Sequence, residues 1–301
     1  MSGRQRGVAL VIALLVVALA TILIAVLLDR GELTLARTRN GLRFAQAQAY
    51  AQGLEAYAAR VLARRGMQAG DSTDNNGSAW AVPLPPTPVP GGTISATMRD
   101  RNGCFNLNNL VNASGGIDDN WLHAFTLLLK ALRLDPNLAP AVAAWMVAGS
   151  SATTGDDDGY YLGLPVPYRT ARRDLRHVSE LRLVRGIDGG VYARLAPHVC
   201  ALPAPTRINI NTATVPVLMT LTDSMTEEQA AALWQNGQAH FTDVATAVGS
   251  LPGVKPMLWD VHSDHFLARG EIVLDGLPFT FFSLIEERNG IRILQRSQGE
   301  D

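Results

Sequence analysis

The sequence predicts an α+β protein: a long N-terminal helix, membrane-spanning over its first half, packs on an antiparallel sheet, and a large all-helical region is inserted between strands. Three observations lead there. A helical pattern free of proline runs from Val8 to Arg65, the chain closes on three alternating runs joined by tight turns, and the stretch between carries short helical pieces.

Val8 to Leu28 is a run of 21 residues with no charge and one hydroxyl, Thr21. At about 1.5 Å per residue this makes roughly 31 Å of helix, enough to cross a hydrocarbon core. Arg4 and Arg6 precede it and mark its cytoplasmic side, so the rest of the chain lies across the membrane. A cleaved secretory signal has an apolar region of about 7–15 residues and a small-x-small exit. The run here is longer, and Leu27-Leu28-Asp29-Arg30-Gly31-Glu32 offers no such exit, which favours a retained anchor. Helical spacing continues through Leu42, Ala45, Ala49, Leu54, Tyr57 and Val61, with Arg, Gln and Glu between them. Gly66 ends the helix.

A turn-rich stretch, Asp71 to Gly77, then leads into five prolines between Pro83 and Pro90, read as a loop or extended connection. Thr93 to Arg99 alternates as a strand. Helical pieces follow at Trp121–Leu134 and Pro140–Val147. Two helix–glycine–helix style units come next. The first is Ser179–Val184, the turn Gly186–Gly190 and Val191–Leu195. The second is a helix capped by Asn211 or Thr212 and running to Leu221, then Thr226 opening Glu228–Trp234. At the end, Phe266 to Leu274, Thr280 to Glu286 and Ile291 to Leu294 are separated by Asp275-Gly276 and Asn289-Gly290, a meander that the early strand at Thr93 can join.

Composition narrows the function. Hydrophobic residues make up 47%, and 26 basic residues face 27 acidic ones. Setting aside Arg4 and Arg6 leaves a net of −3, the wrong sign for a protein whose main task is gripping phosphates. Cys104 and Cys200 have no zinc spacing. Across an inner membrane their natural use is one disulfide, with two separate buried thiols as the alternative.

No catalytic signature is present: no G-x-S-x-G, H-E-x-x-H, P-loop or dinucleotide fingerprint. Asp156-Asp157-Asp158-Gly159 places three carboxylates together, a candidate calcium loop that would need ligands from elsewhere, or else a solvated acidic loop. His262-Ser-Asp-His265 reads as an ordinary loop edge. The helix–glycine–helix units, with Arg182 and Arg185 beside the first turn, allow an alternative: a membrane-anchored DNA-binding protein of a DNA-uptake machine. The negative charge and the absence of a basic flank on the second unit oppose it. A secreted hydrolase on an anchor is a further rival, opposed by the missing nucleophile and metal motifs.

Arg6-Gly7 before Val8-Ala-Leu-Val, Gly103-Cys-Phe-Asn-Leu-Asn108, Asp158-Gly-Tyr-Tyr161, Val178-Ser-Glu-Leu-Arg182, Tyr192 to Pro203, and Ile210-Asn-Thr-Ala213 together resemble the minor pseudopilin K family of type II secretion systems. The leader is common to all type IV pilin-like proteins; the later segments are specific. The resemblance implies cleavage by a prepilin peptidase between Gly7 and Val8, with N-methylation of Val8. It implies a pilin-like fold divided as a leader (1–7), a membrane segment (8–28), the outer half of the helix (29–65), an α/β domain (66–104 and 264–301) and an inserted helical domain (105–263). It further implies a non-enzymatic subunit with its body in the periplasm. Such a subunit caps a pseudopilus with minor pseudopilins I and J, helps start assembly of the fibre that exports folded proteins, works with other pseudopilus and inner-membrane components, and binds no nucleic acid.

The fifth residue after the cleavage point is Ile12, where most pilin-like subunits carry glutamate and this family does not. A lone carboxylate in hydrocarbon costs several kcal/mol, so a subunit with nothing stacked above it does better with an apolar residue. The resemblance also supports pairing of Cys104 with Cys200. The family binds calcium through acidic residues of the helical domain; Asp157 and Asp158 align with one such pair and Asp156 can substitute in part, but the earlier segment reads Ala144-Trp145-Met146-Val147 and lacks both carboxylates.

Overall fold

The computed structural model describes residues 3–65, 73–147, 158–203, 205–249, 251–288 and 290–299. In chain order the elements are α1 (Gly3–Arg65), β1 (Leu84–Val89), β2 (Gly92–Asp100), β3 (Phe105–Asn106), α2 (Asp119–Ala131), α3 (Leu138–Met146), α4 (Asp158–Leu162), α5 (Gly189–Leu195), β4 (Val199–Cys200), β5 (Ile208–Asn209), α6 (Val215–Leu218), α7 (Glu227–Trp234), α8 (Val244–Val248), β6 (Trp259–Asp260), β7 (His265–Leu274), β8 (Leu277–Glu287) and β9 (Ile291–Gln298).

The helix α1 is continuous over 63 residues. Its apolar first half touches nothing else in the chain. Its second half lies across the sheet through Ala47, Ala51, Leu54, Ala58 and Leu62. That stripe corrects the register read from the larger residues: Leu42 and Tyr57 are exposed, and of the expected positions only Leu54 is buried, with Val61 half-buried against the core. Small residues win the buried face because alanines let the helix backbone sit close on the pleated surface, and Gly270 of β7 lies beneath Leu54. Polar ties fix the placement. Glu55 accepts from Ser283 Oγ at 2.5 Å and from Arg296 at 2.7 and 2.8 Å, while Gln46 and Tyr50 donate to the Pro90 carbonyl at 2.9 and 3.0 Å.

The sheet has the order β1-β2-β7-β8-β9, antiparallel throughout. Partner positions between β2 and β7 run from Gly92↔Leu274 to Asp100↔Phe266. The strand before the helical region thus pairs directly with the strand after it, and everything between is an insertion. The β7–β8 turn is Asp275-Gly276, both left-handed, with φ of 48° and 79°, which matches the twist of the strands it joins.

Three local expectations are corrected. The proline-rich stretch is an edge strand, β1, with a register break between Leu84 and Thr87. Proline is tolerated there because an edge strand leaves one row of N–H groups without a ladder partner. Ser179–Val184 is a 3-10 helix over Val178–Leu183. The helix expected from Asn211 or Thr212 is only the single turn α6, preceded by Thr214. Asn211 instead brackets the Phe241 backbone, accepting from its N–H at 2.7 Å and donating to its carbonyl at 3.1 Å, while Thr212 bonds Asp100.

The inserted region closes on one core. Phe105 stacks on Phe125 with ring centroids 5.3 Å apart and meets Trp121 edge-on at 5.6 Å, beside Leu128, Val142, Trp145 and Leu181. Asp118 caps α2 by accepting from the Asn120 and Trp121 N–H groups, and Thr226 and Gln229 form a reciprocal cap on α7. Cys104 and Cys200 form a disulfide with Cα atoms 5.9 Å apart, beside the short parallel pair β3–β4.

Candidate functional site

Two regions stand out as candidates: the apolar start of α1 and the joint that holds the inserted region on the sheet. Val8 and Ile12 project from α1 at 61% and 55% exposure, and the residues from Leu10 to Leu28 are similarly bare. This is one helix long and apolar enough to cross a membrane. Its surface is satisfied by lipid or by neighbouring helices, since none of the described residues covers it.

The joint is polar and buried. Asp74 accepts from Arg65 at 2.5 Å, from Trp80 Nε1 at 3.1 Å and from the Ser263 N–H at 2.8 Å, so the end of α1 is pinned to the segment entering β7. Asp264 is held by His265 Nδ1 at 2.6 Å, Asn102 Nδ2 at 2.9 Å and Arg288 at 2.8 Å. Burial pushes its carboxyl upward, but these bonds, His265 foremost, outweigh that and hold it well below the usual carboxylate range. Asp100, at the end of β2, accepts from Thr212 and from Asn209 Nδ2, the latter at 3.3 Å. Burial raises it to about 6, against the hydrogen bonds from Thr212 and Asn102 and with help from Asp74 nearby.

Asparagines do the rest, and reading the sequence for charge and periodicity passed over them. Asn102 accepts from the Asp264 and His265 N–H groups. Asn106 joins Leu202 and Thr206, Asn108 joins Leu175, and Asn109 joins Thr206. Each amide carries donor and acceptor together, so one side chain satisfies two backbone groups of a neighbouring loop. Four asparagines between positions 102 and 109 was the available signal.

Of the candidate calcium residues, Asp156 and Asp157 lie outside the described residues. Asp158 opens α4. Its Oδ1 accepts from Thr170 N and Oγ1 at 3.2 and 3.0 Å, and its Oδ2 from Arg169 and Arg172 at 3.2 and 2.8 Å. The Thr170 N–H, its hydroxyl and the two guanidiniums hold this carboxyl below its ordinary value despite some desolvation. A carboxylate so committed does not fit a cation ligand, because a hard cation here would have to displace an arginine. Ala144 and Val147 sit at the end of α3 and offer no oxygen ligand from their side chains. Among the described residues no group of three or more His, Cys, Asp or Glu is placed to hold a metal. His262 pairs with Asp260 at 3.0 Å and His265 with Asp264, both as ordinary structural contacts.

The arginines beside the first glycine turn stack on aromatic rings: Arg182 over Tyr192 at 4.2 Å and Arg185 over Tyr160 at 4.5 Å. The turn after α6 carries Asp223 and no basic residue. Neither unit therefore presents the backbone-amide and cation pair that the DNA alternative needs.

Comparison with known proteins agrees with this geometry. Models of type II secretion system protein K match residues 103–204 and 208–257. A type II secretion system protein K of Pectobacterium carotovorum subsp. carotovorum is 33% identical, covering 99% of this chain and 98% of that protein. The protein of the same name from Pseudomonas aeruginosa is also 33% identical, covering 98% and 93%. Among solved structures, the GspK-GspI-GspJ complex of enterotoxigenic Escherichia coli contains a chain that superposes with a TM-score of 0.74 at 28% identity, over 88% of this chain and 100% of that one. The bare apolar helix, the sheet beneath its second half and the inserted helical body are thus those of a minor pseudopilin, and the chain belongs to the type II secretion system protein K family.

Proposed function

We propose that this chain is the tip subunit of the pseudopilus, matured by a prepilin peptidase that cuts between Gly7 and Val8 and methylates Val8. Its body then stands in the periplasm, its anchor stays in the inner membrane, and with minor pseudopilins I and J it starts the fibre that drives folded proteins outward. The observation that carries the reading is Ile12 on the bare apolar face of α1. A subunit inside a fibre gains from a carboxylate that meets the charged amino terminus of the subunit above it. At the tip no such terminus exists, and an apolar side chain avoids an unpaired charge in lipid. The likeness to the chain solved in the GspK-GspI-GspJ complex supports partnership with I and J. No chemistry is part of the proposal; the work is assembly. The test is co-purification: the chain extracted from membranes in mild detergent brings minor pseudopilins I and J with it in fixed ratio. Recovery without either, at equal expression, contradicts the reading.

A further inference from the structure

Phe281, Ser283 and Ile285 of β8 face α1, so Phe282 and Leu284 point to the opposite side of the sheet. Between that side and the Arg176–Leu202 part of the helical body runs an open groove of about 570 Å³. Its floor is apolar: Leu267, Phe282 and Leu284, consecutive across β7 and β8. Its rim carries Arg99 and Arg176, with Arg101 beside them, and among the described residues no carboxylate lines it. Three acids near its walls in sequence are spent elsewhere. Asp100, between Arg99 and Arg101, accepts from Thr212 and Asn209. Glu180 binds Arg173 at 2.9 Å and caps the Arg176 N–H, and Glu286 lies between Arg292 and His265. Among the described residues Arg99 and Arg176 have no ion-pair partner, and Arg182, stacked on the Tyr192 wall, adds charge behind them. On one side β9 contributes Gln295 and Ser297, opposite Leu284 and Phe282 of β8.

From this we infer that the groove receives an extended acidic segment of a partner polypeptide. The floor takes alternate apolar side chains, and the arginine rim takes the carboxylates between them. The local charge runs against the −1 of the whole chain, so attraction to an acidic partner is confined to this face. The inference does not depend on the tip position.

The test uses the full chain in detergent micelles and a fluorescein-labelled decapeptide alternating glutamate and valine. The expected result is saturable binding by fluorescence anisotropy that weakens as salt rises. Binding is at least tenfold weaker in the Arg99→Glu/Arg176→Glu double variant, whose near-UV circular dichroism and melting temperature match the parent. A glutamine–valine peptide does not bind. Equal binding to parent and variant overturns the inference. So does equal binding of the glutamine peptide, or no binding up to millimolar peptide. Variant-sensitive capture of inorganic polyphosphate without capture of the peptide assigns the groove to phosphates and overturns it as well.

Discussion

Gly270 of β7 lies directly under Leu54 of α1: a Cβ at position 270 would stand 2.8 Å from Leu54 Cδ1. Leu54 keeps this conformation over the strand because position 270 has no side chain. Gly270→Val therefore destabilises the protein by about 1–3 kcal/mol through overpacking. Leu54→Ala is destabilising alone, yet the two changes together cost less than their sum, because the valine fills space the leucine left. Chemical denaturation of the four proteins gives the cycle; strict additivity would mean the two residues do not meet.

The disulfide joins residues 96 apart and ties β3 to β4. Cys104→Ser/Cys200→Ser loses about 2–5 kcal/mol, the usual range for a native bridge. Non-reducing peptide mapping shows the bridge in the parent. Reductant lowers the parent's denaturation midpoint and leaves the variant's unchanged.

Two aspartates at the joint give opposite pH trends. Asp100 is raised from 3.8 to about 6 in the fold, so the native state holds the proton more tightly than the unfolded chain. Its contribution is complete below about pH 3.8 and is lost as pH rises through 6. Asp264 is depressed, so its contribution is present above its unfolded value near 3.8 and fades as pH falls through the folded one. Asp100→Asn flattens the decline in stability between pH 4 and 6, and Asp264→Asn lowers stability at neutral pH. Melting curves across pH 3–8 read both; an unchanged slope in Asp100→Asn contradicts the assignment.

Asp158 is a carboxylate already filled by Arg169, Arg172 and Thr170. Asp158→Asn lowers the melting temperature whether or not calcium is present, and millimolar calcium shifts the parent no further than magnesium does. A calcium-specific shift that Asp158→Asn abolishes would show that the arginines yield to the cation.

The parts of the fold with long, clean periods were legible from the residues: α1, the meander β7–β9 and the pairing of β2 with it, which makes the helical region an insertion. The proline-rich β1 was not, because proline removes the donors and obscures the alternation by which strands are recognised. The buried stripe of α1 was misplaced by following Leu42 and Tyr57, since bulk marks burial only where there is room for bulk. The site was legible where it depends on composition, in the anchor. The joint was hidden, because Asn102, Asn106 and Asn108 act through loops far away in sequence and no local pattern announces their partners.

Ile12 tests the tip reading. Ile12→Glu impairs secretion or recovery with minor pseudopilins I and J while leaving the amount of membrane-bound chain unchanged; normal secretion and normal co-recovery would separate this position from the tip role.

The most direct test of the whole account is the amino terminus of the chain isolated from membranes, read by mass spectrometry. The account predicts N-methylated Val8 at the start, followed by an intact apolar run. A chain beginning beyond Leu28 and free of the membrane would contradict it.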